Sequence, residues 1–152
     1  MSTALTSTAR RLLVTIALLA LAGIGVSAVA LQHHYATSKT GYCSFGENFN
    51  CDVVNRSVYS TLVGVPVALI GILGYATLLA LATLYRTKAE TPGLLMLASL
   101  AGLGFALYLT YIEGFVLGTW CVLCLSSLAM IFSIAALSVA LFWQSMRGEA
   151  RP

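Results

Sequence analysis

Charge is what this chain has least of. Only 9% of its 152 residues are Asp, Glu, Lys or Arg, while 59% are hydrophobic. Soluble domains carry about 25% charged residues, so this deficit, with a mean hydropathy of +0.92, excludes an ordinary soluble fold. Acids are scarcest, five against eight Lys and Arg, and the net charge of +3 is small and scattered. That excludes the basic surface that binds nucleic acid. No apolar run carries a charge at its middle, which disfavours an ion or proton transporter. Internal repeats and low-complexity segments are absent. At this length a single domain over residues 1–152 is expected.

What remains is organised as four apolar runs. The first covers about residues 12–31. About twenty residues at ~1.5 Å each span the ~30 Å hydrocarbon core of a bilayer. A cleaved signal peptide is the competing reading, with a basic start at Arg10-Arg11 and Ala28-Val29-Ala30 as a cleavage-like site. The run is longer than a signal core of roughly 7–15 residues, which favours a retained helix. A polar segment, 32–60, follows, with one short helix expected near Asp52-Val53-Val54. It is too small for a core of its own and must rest on the helix ends. The second span is expected over 61–85, with Gly71 and Gly74 allowing close helix approach. The third is expected over 92–112, with Thr91 as N-cap, Pro92 at N1, and Ala98, Gly102 and Ala106 as a packing seam. A short turn, 113–119, leads to the fourth span, 120–143.

Lysine and arginine placement sets the orientation. Arg10, Arg11, Arg86, Lys88, Arg147 and Arg151 fall on one side, and Lys39 and Arg56 on the other. Both termini are therefore expected in the cytoplasm and segment 32–60 outside. The expected fold class is an all-α membrane protein, a four-transmembrane-helix bundle with an outer capping loop. Tyr35, Tyr59, Tyr111 and Trp120 would mark the outer interface, and Tyr85 and Trp143 the inner one.

All four cysteines then lie on the oxidising side, where cysteines act as disulfides. Cys121 and Cys124, three apart, share one helix face, and Cys121 falls in a helix's opening turn, where the dipole favours thiolate. The alternative is two ordinary buried thiols; a second pair on the same face favours redox work. Cys43 and Cys51, with seven residues between them, close a disulfide easily, and loop exposure would let a soluble partner reach it. A structural staple is the other reading of that pair. Zinc prefers shorter spacings in each half-site, so no metal is expected. His33-His34 is read as an interfacial polar step without a role. Asn55-Arg56-Ser57 matches the glycosylation pattern, and Glu113 is read as a helix-end acid rather than a proton handler. Tyr108 and Tyr111 share a face near the outer surface and could line a ring-binding pocket.

With these residues assembled, the chain resembles the vitamin K epoxide reductase family, its bacterial branch in particular. The resemblance rests on Cys43-Ser44, Cys51-Asp52-Val53-Val54, Ser57-Val58-Tyr59-Ser60, Gly64-Val65-Pro66, Tyr108-Leu109-Thr110-Tyr111-Ile112-Glu113 and Cys121-Val122-Leu123-Cys124. It implies a bundle around a quinone (ubiquinone, or menaquinone or phylloquinone) in the bacterial inner membrane. It also implies that a separate thioredoxin-like, DsbA-like periplasmic protein is oxidised, supporting disulfide bond formation. Carried over by position, Cys43 and Cys51 are the shuttle pair, Cys51 attacks at Cys121, Cys124 is nearest the quinone, and Ser57 stands near the active cysteines. Cys124, Tyr108, Tyr111, Leu128 and Pro66 are the quinone-binding candidates. Two departures weigh against epoxide reduction: Leu128 stands where animal members have tyrosine, and the second span lacks their asparagine. A DsbB-like oxidase would place its C-x-x-C pair first, the reverse of the order here. A non-enzymatic four-span scaffold with structural disulfides is the remaining alternative.

Overall fold

The computed structural model describes residues 6–35, 43 and 46–149. Lys39, Gly41, Ser44 and Arg151, used above for orientation, loop composition and resemblance, lie outside the described residues.

Helix α1 runs from Ser7 to Tyr35, 29 residues. The Thr6 hydroxyl accepts the Ala9 N–H at 3.2 Å and caps its start. The helix continues one turn past the expected end, so that His33 and His34 ride on its last turn. After segment 46–50 comes the short helix α2, Cys51–Asn55, where one was expected. Its N-cap is Asn50, whose side-chain oxygen accepts the N–H groups of Asp52 at 3.1 Å and Val53 at 3.3 Å.

The second apolar run divides. Residues 61–66 form a hairpin instead of helix: β1 (Thr61–Leu62) pairs antiparallel with β2 (Val65–Pro66). Val63 (φ 53°) and Gly64 (φ 82°) are both left-handed, as a two-residue type I′ turn requires. Pro66 then caps helix α3, Val67–Thr83, only 17 residues long. Helix α4, Thr91–Tyr111, has Glu90 at its N-cap, so Thr91 is helical and not the cap. The Thr91 hydroxyl instead reaches back to the Tyr85 carbonyl and ties down the charged turn. The expected turn at 113–119 is also corrected. The chain stays wound as a π-helical turn, Ile112–Leu117, and Gly118 (φ 62°) ends it in the left-handed conformation. Helix α5 is Val122–Glu149, 28 residues.

Three of these segments, Ser7–Tyr35, Thr91–Leu117 and Val122–Gly148, are long and apolar enough to cross a membrane; Val67–Thr83 is apolar but shorter. The fold is that of a mostly helical multi-pass membrane protein. Helix α1 packs against α3 and α5, α4 packs against α5, and α3 meets α4 along a thinner seam. Leu13, Ile16 and Ala20 of α1 join Tyr75, Leu78, Leu95, Ile131 and Ile134 in the core, so α1 is integral to the fold.

Two glycines on facing helices set the closest approaches. A Cβ at Gly23 would run into the Tyr75 ring, and one at Gly71 would lie 2.9 Å from the Ser27 hydroxyl. A Cβ at Gly74 would meet open space, and this glycine lines a cavity instead. Tyr75 is held by its hydroxyl, which donates to the Ser127 carbonyl at 2.9 Å. Overpacking at a filled site costs about 1–3 kcal/mol. Gly23→Val should therefore lower the unfolding free energy in detergent by that order, read as a lower thermal midpoint. Gly25→Ala, where the added methyl meets open space, should leave the midpoint near wild type.

Candidate active site

The site begins with a backbone ladder. The Trp120 N–H donates to the Asn48 carbonyl at 2.8 Å, and the Asn50 N–H donates to the Trp120 carbonyl at 3.0 Å. This short parallel pairing zips the segment before α2 onto the residue before Cys121. Trp120 is itself fixed, its indole resting where a Cβ on Gly114 would come within 2.8 Å. Cys51 opens α2 and Cys121 immediately precedes α5, so the ladder sets the two side by side.

The sulfurs of Cys43, Cys51 and Cys121 all lie within 4.8 Å of one another. Cys43 and Cys51 are joined in a disulfide, while Cys121 and Cys124 are free. Two sulfurs joined to each other are not a ligand set for zinc, which takes thiolates; a free thiol beside a disulfide is the arrangement for exchange. The cluster is closed from solvent, with Cys43, Cys51, Val54 and Cys121 buried against Leu117, Leu123 and Cys124. The expectation of an exposed loop disulfide is thus corrected: both its cysteines are covered, because α2 presses them onto the α5 entrance.

Side chains from the end of α1 hold α2 in place. His33 is buried and its Nδ1 lies 3.1 Å from the Asp52 carboxylate. The His34 Nδ1 lies 2.5 Å from the Asn55 carbonyl, which requires the proton on that nitrogen. Asn55 is buried and points inward: its Nδ2 donates to the Cys51 carbonyl at 2.9 Å and approaches the Cys121 sulfur at 3.7 Å. An acceptor asparagine for glycosylation must face solvent, so that reading of Asn55-Arg56-Ser57 does not fit. Ser57 donates to the Val54 carbonyl at 2.8 Å and turns toward the bundle interior.

Below α2 lies a cavity of about 340 Å³, within the roughly 300–1,000 Å³ of small-molecule sites. Small residues on facing helices make the room: Ala68, Gly71 and Gly74 of α3, and Ala98, Gly102 and Ala106 of α4. Cys124 and Glu113 lie on its wall. Glu113 is 2% exposed, and its Oε2 accepts the Cys121 N–H at 3.1 Å.

Of the candidates named from sequence, Cys124, Ser57 and Pro66 line this cavity, and Cys43, Cys51 and Cys121 form the sulfur cluster above it. Tyr108, Tyr111 and Leu128 do not line it. Tyr108 is 57% and Tyr111 58% exposed, and Tyr111 stacks on Phe115. The reason is helix phase: Phe105 and Leu109 take the inner face of α4, continued by Ile112 of the π-helical turn, and Ser127 and Ile131 that of α5.

A family model for the vitamin K epoxide reductase family matches residues 14–139. The chain belongs to that family. No curated protein matches it. Vitamin K epoxide reductases are oxidoreductases, and membership together with the clustered sulfurs points to thiol redox activity at this site. The match runs from early α1 into α5, enclosing all four cysteines and the cavity. His33, His34, Asn55 and Glu113 stand at this site although the sequence pattern gave none of them a role in it. The signal for Glu113 was in plain view, since it is the only acid close to the C-x-x-C pair in the sequence.

The sulfur geometry has a direct test. In a Cys43→Ala/Cys124→Ala double variant, mild oxidation should join Cys51 to Cys121, seen as one cross-linked peptide by mass mapping. Recovery of both as free thiols would contradict the cluster.

Proposed function

We propose that this protein is a quinone-linked thiol–disulfide oxidoreductase of a bacterial inner membrane. It oxidises a separate thioredoxin-like periplasmic protein and hands the electrons on through its two cysteine pairs. The observation that carries the reading is Cys121. Its sulfur lies within 4.8 Å of the Cys43–Cys51 disulfide, while Cys124, one helical turn on, faces an apolar cavity. Four spans fit this reading, since 17 residues of α3 extend about 25 Å as helix, near the lower limit for crossing a bilayer. Both termini then face the cytoplasm.

The steps follow from the positions of the sulfurs. A partner thiolate attacks the Cys43 sulfur and Cys51 leaves; the partner's second thiol releases Cys43, and the loop dithiol results. The Cys51 thiolate attacks the Cys121 sulfur of a Cys121–Cys124 disulfide, and Cys124 leaves as thiolate. Cys43 then attacks the Cys51 sulfur, which restores the loop disulfide and frees Cys121. The described arrangement, loop pair joined and helix pair free, corresponds to the end of this transfer. Because the sulfur cluster is buried, the partner's attack requires Cys43 to come away from Cys121 first.

The cavity suits a quinone ring: it is apolar over most of its lining, Gly74 leaves open space on the α3 side, and Cys124 lies on its wall. A quinone there supplies a two-electron, two-proton acceptor. The chain's own contribution is to present the Cys124 sulfur and to shut water out under α2. With no asparagine in α3 and Leu128 turned away from the cavity, reduction of a quinone is the favoured activity over opening of an epoxide.

A quinone-reduction assay in membranes, driven by a reduced thioredoxin-like protein, tests the reading. Cys121→Ala and Cys124→Ala should each fall to background, as should Cys43→Ala and Cys51→Ala, through which the partner's electrons must pass. Full turnover in the first two variants would overturn it and leave a scaffold with structural disulfides.

A further inference from the structure

Among the described residues, Glu113 is the only acid on the cavity wall, and no Lys or Arg lines it. One of its oxygens is fixed by the Cys121 N–H; the other, Oε1, is buried without a hydrogen-bond partner among the described residues. The Cys124 sulfur lies on the same cavity wall as this carboxyl. A buried carboxyl oxygen left unmatched costs about 1–3 kcal/mol or more, so its retention beside two thiols calls for a task. Its placement is built rather than incidental. It projects from the π-helical turn, a local winding frequent at functional sites. The Gly118 and Thr119 N–H groups both return to its carbonyl.

We propose that Glu113 carries a proton to and from the Cys124 sulfur each time the Cys121–Cys124 disulfide opens and closes. This deepens the relay proposed above and rests on it. On opening, the Cys51–Cys121 bond forms, the Cys121–Cys124 bond breaks, and its electron pair stays on Cys124 as thiolate. Glu113 in its acid form protonates that thiolate and is left as carboxylate. Cys43 then displaces Cys121 from Cys51 and its proton passes to Cys121, while the proton Cys51 shed on becoming a thiolate goes to solvent. On closing, Glu113 takes the Cys124 proton back. The two electrons, the Cys121 proton and one proton from solvent go to the quinone. Protons balance over the cycle, and Glu113 returns to its acid form.

The other titratable groups on the cavity wall are less able to do this. The His34 Nδ1 is committed to the Asn55 carbonyl and Ser60. The Tyr75 hydroxyl is committed to Ser127. Tyr59 opens to the outside.

Redox-difference infrared spectroscopy of the detergent-solubilised full chain, reduced with dithiothreitol and without added quinone, reads the proton directly. Reduction should remove a protonated-carboxyl stretch and add a carboxylate band in wild type. Glu113→Gln should show neither, and Glu113→Asp should restore a shifted pair. In the quinone assay Glu113→Gln should turn over about 10²-fold more slowly, with the Cys121/Cys124 dithiol accumulating under alkylation. Wild type showing no carboxyl change would overturn the Glu113 role even if the cysteine variants are inactive. Cysteine variants that keep full turnover would overturn the relay itself, whatever the infrared spectrum shows.

Discussion

Two backbone hydrogen bonds, between Trp120 and the Asn48 and Asn50 backbones, are the constraint on which the site depends. Each is worth only about 0.5–1.5 kcal/mol net. Yet the segment between α1 and α3 cannot form a core alone, so its position is set by what it can pair with. The ladder supplies a register, Asn50 caps the helix that follows, and Cys51 as the first residue of that helix has no choice but to face Cys121. The histidines at the end of α1 add a second fastening, through Asp52 and the Asn55 carbonyl. Redox geometry here is secondary-structure geometry: a cap, one rung of parallel pairing and a helix start.

Below this cap, small residues do two opposite things. At Gly23 and Gly71 a missing side chain admits a neighbour, the Tyr75 ring or Ser27. At Gly74 it admits nothing and leaves volume. Small residues therefore both let α1 and α3 come together and leave room unfilled between α3 and α4 at the cavity, and the same letter in the sequence serves both ends. Tyr75 links the two regions, with its ring against Gly23 and its hydroxyl on Ser127 at the cavity wall.

This explains how much could be read from the sequence. Apolar runs, short helix α2 and the two cysteine pairs were legible because they follow from local composition and spacing. The family resemblance rested on short motifs around those same cysteines, and the family model covers them. What could not be read was phase and closure. Tyr108 and Tyr111 are correctly placed along α4 but lie about one helical step off its inner face. The hairpin at Thr61–Pro66 looked like helix because its residues are apolar, and only the paired left-handed turn reveals it. Glu113 appeared as a helix-end acid because the π-helical turn that carries it inward has no sequence signature of its own. Asn55 appeared as a surface residue because its burial depends on a distant part of the chain, Cys121, 66 positions away.

The burial of Cys43, Cys51 and Cys121 also bears on leakage. Under the proposed relay, a small dissolved thiol reaches these sulfurs only in the moments when the segment opens, so stray reductants drain the circuit slowly. A carrier must instead bring enough binding energy to unzip the Asn48–Trp120 rung and expose Cys43. Fidelity would then reside in the cost of undoing a few backbone hydrogen bonds, with the closed segment acting as electrical insulation around a bare wire.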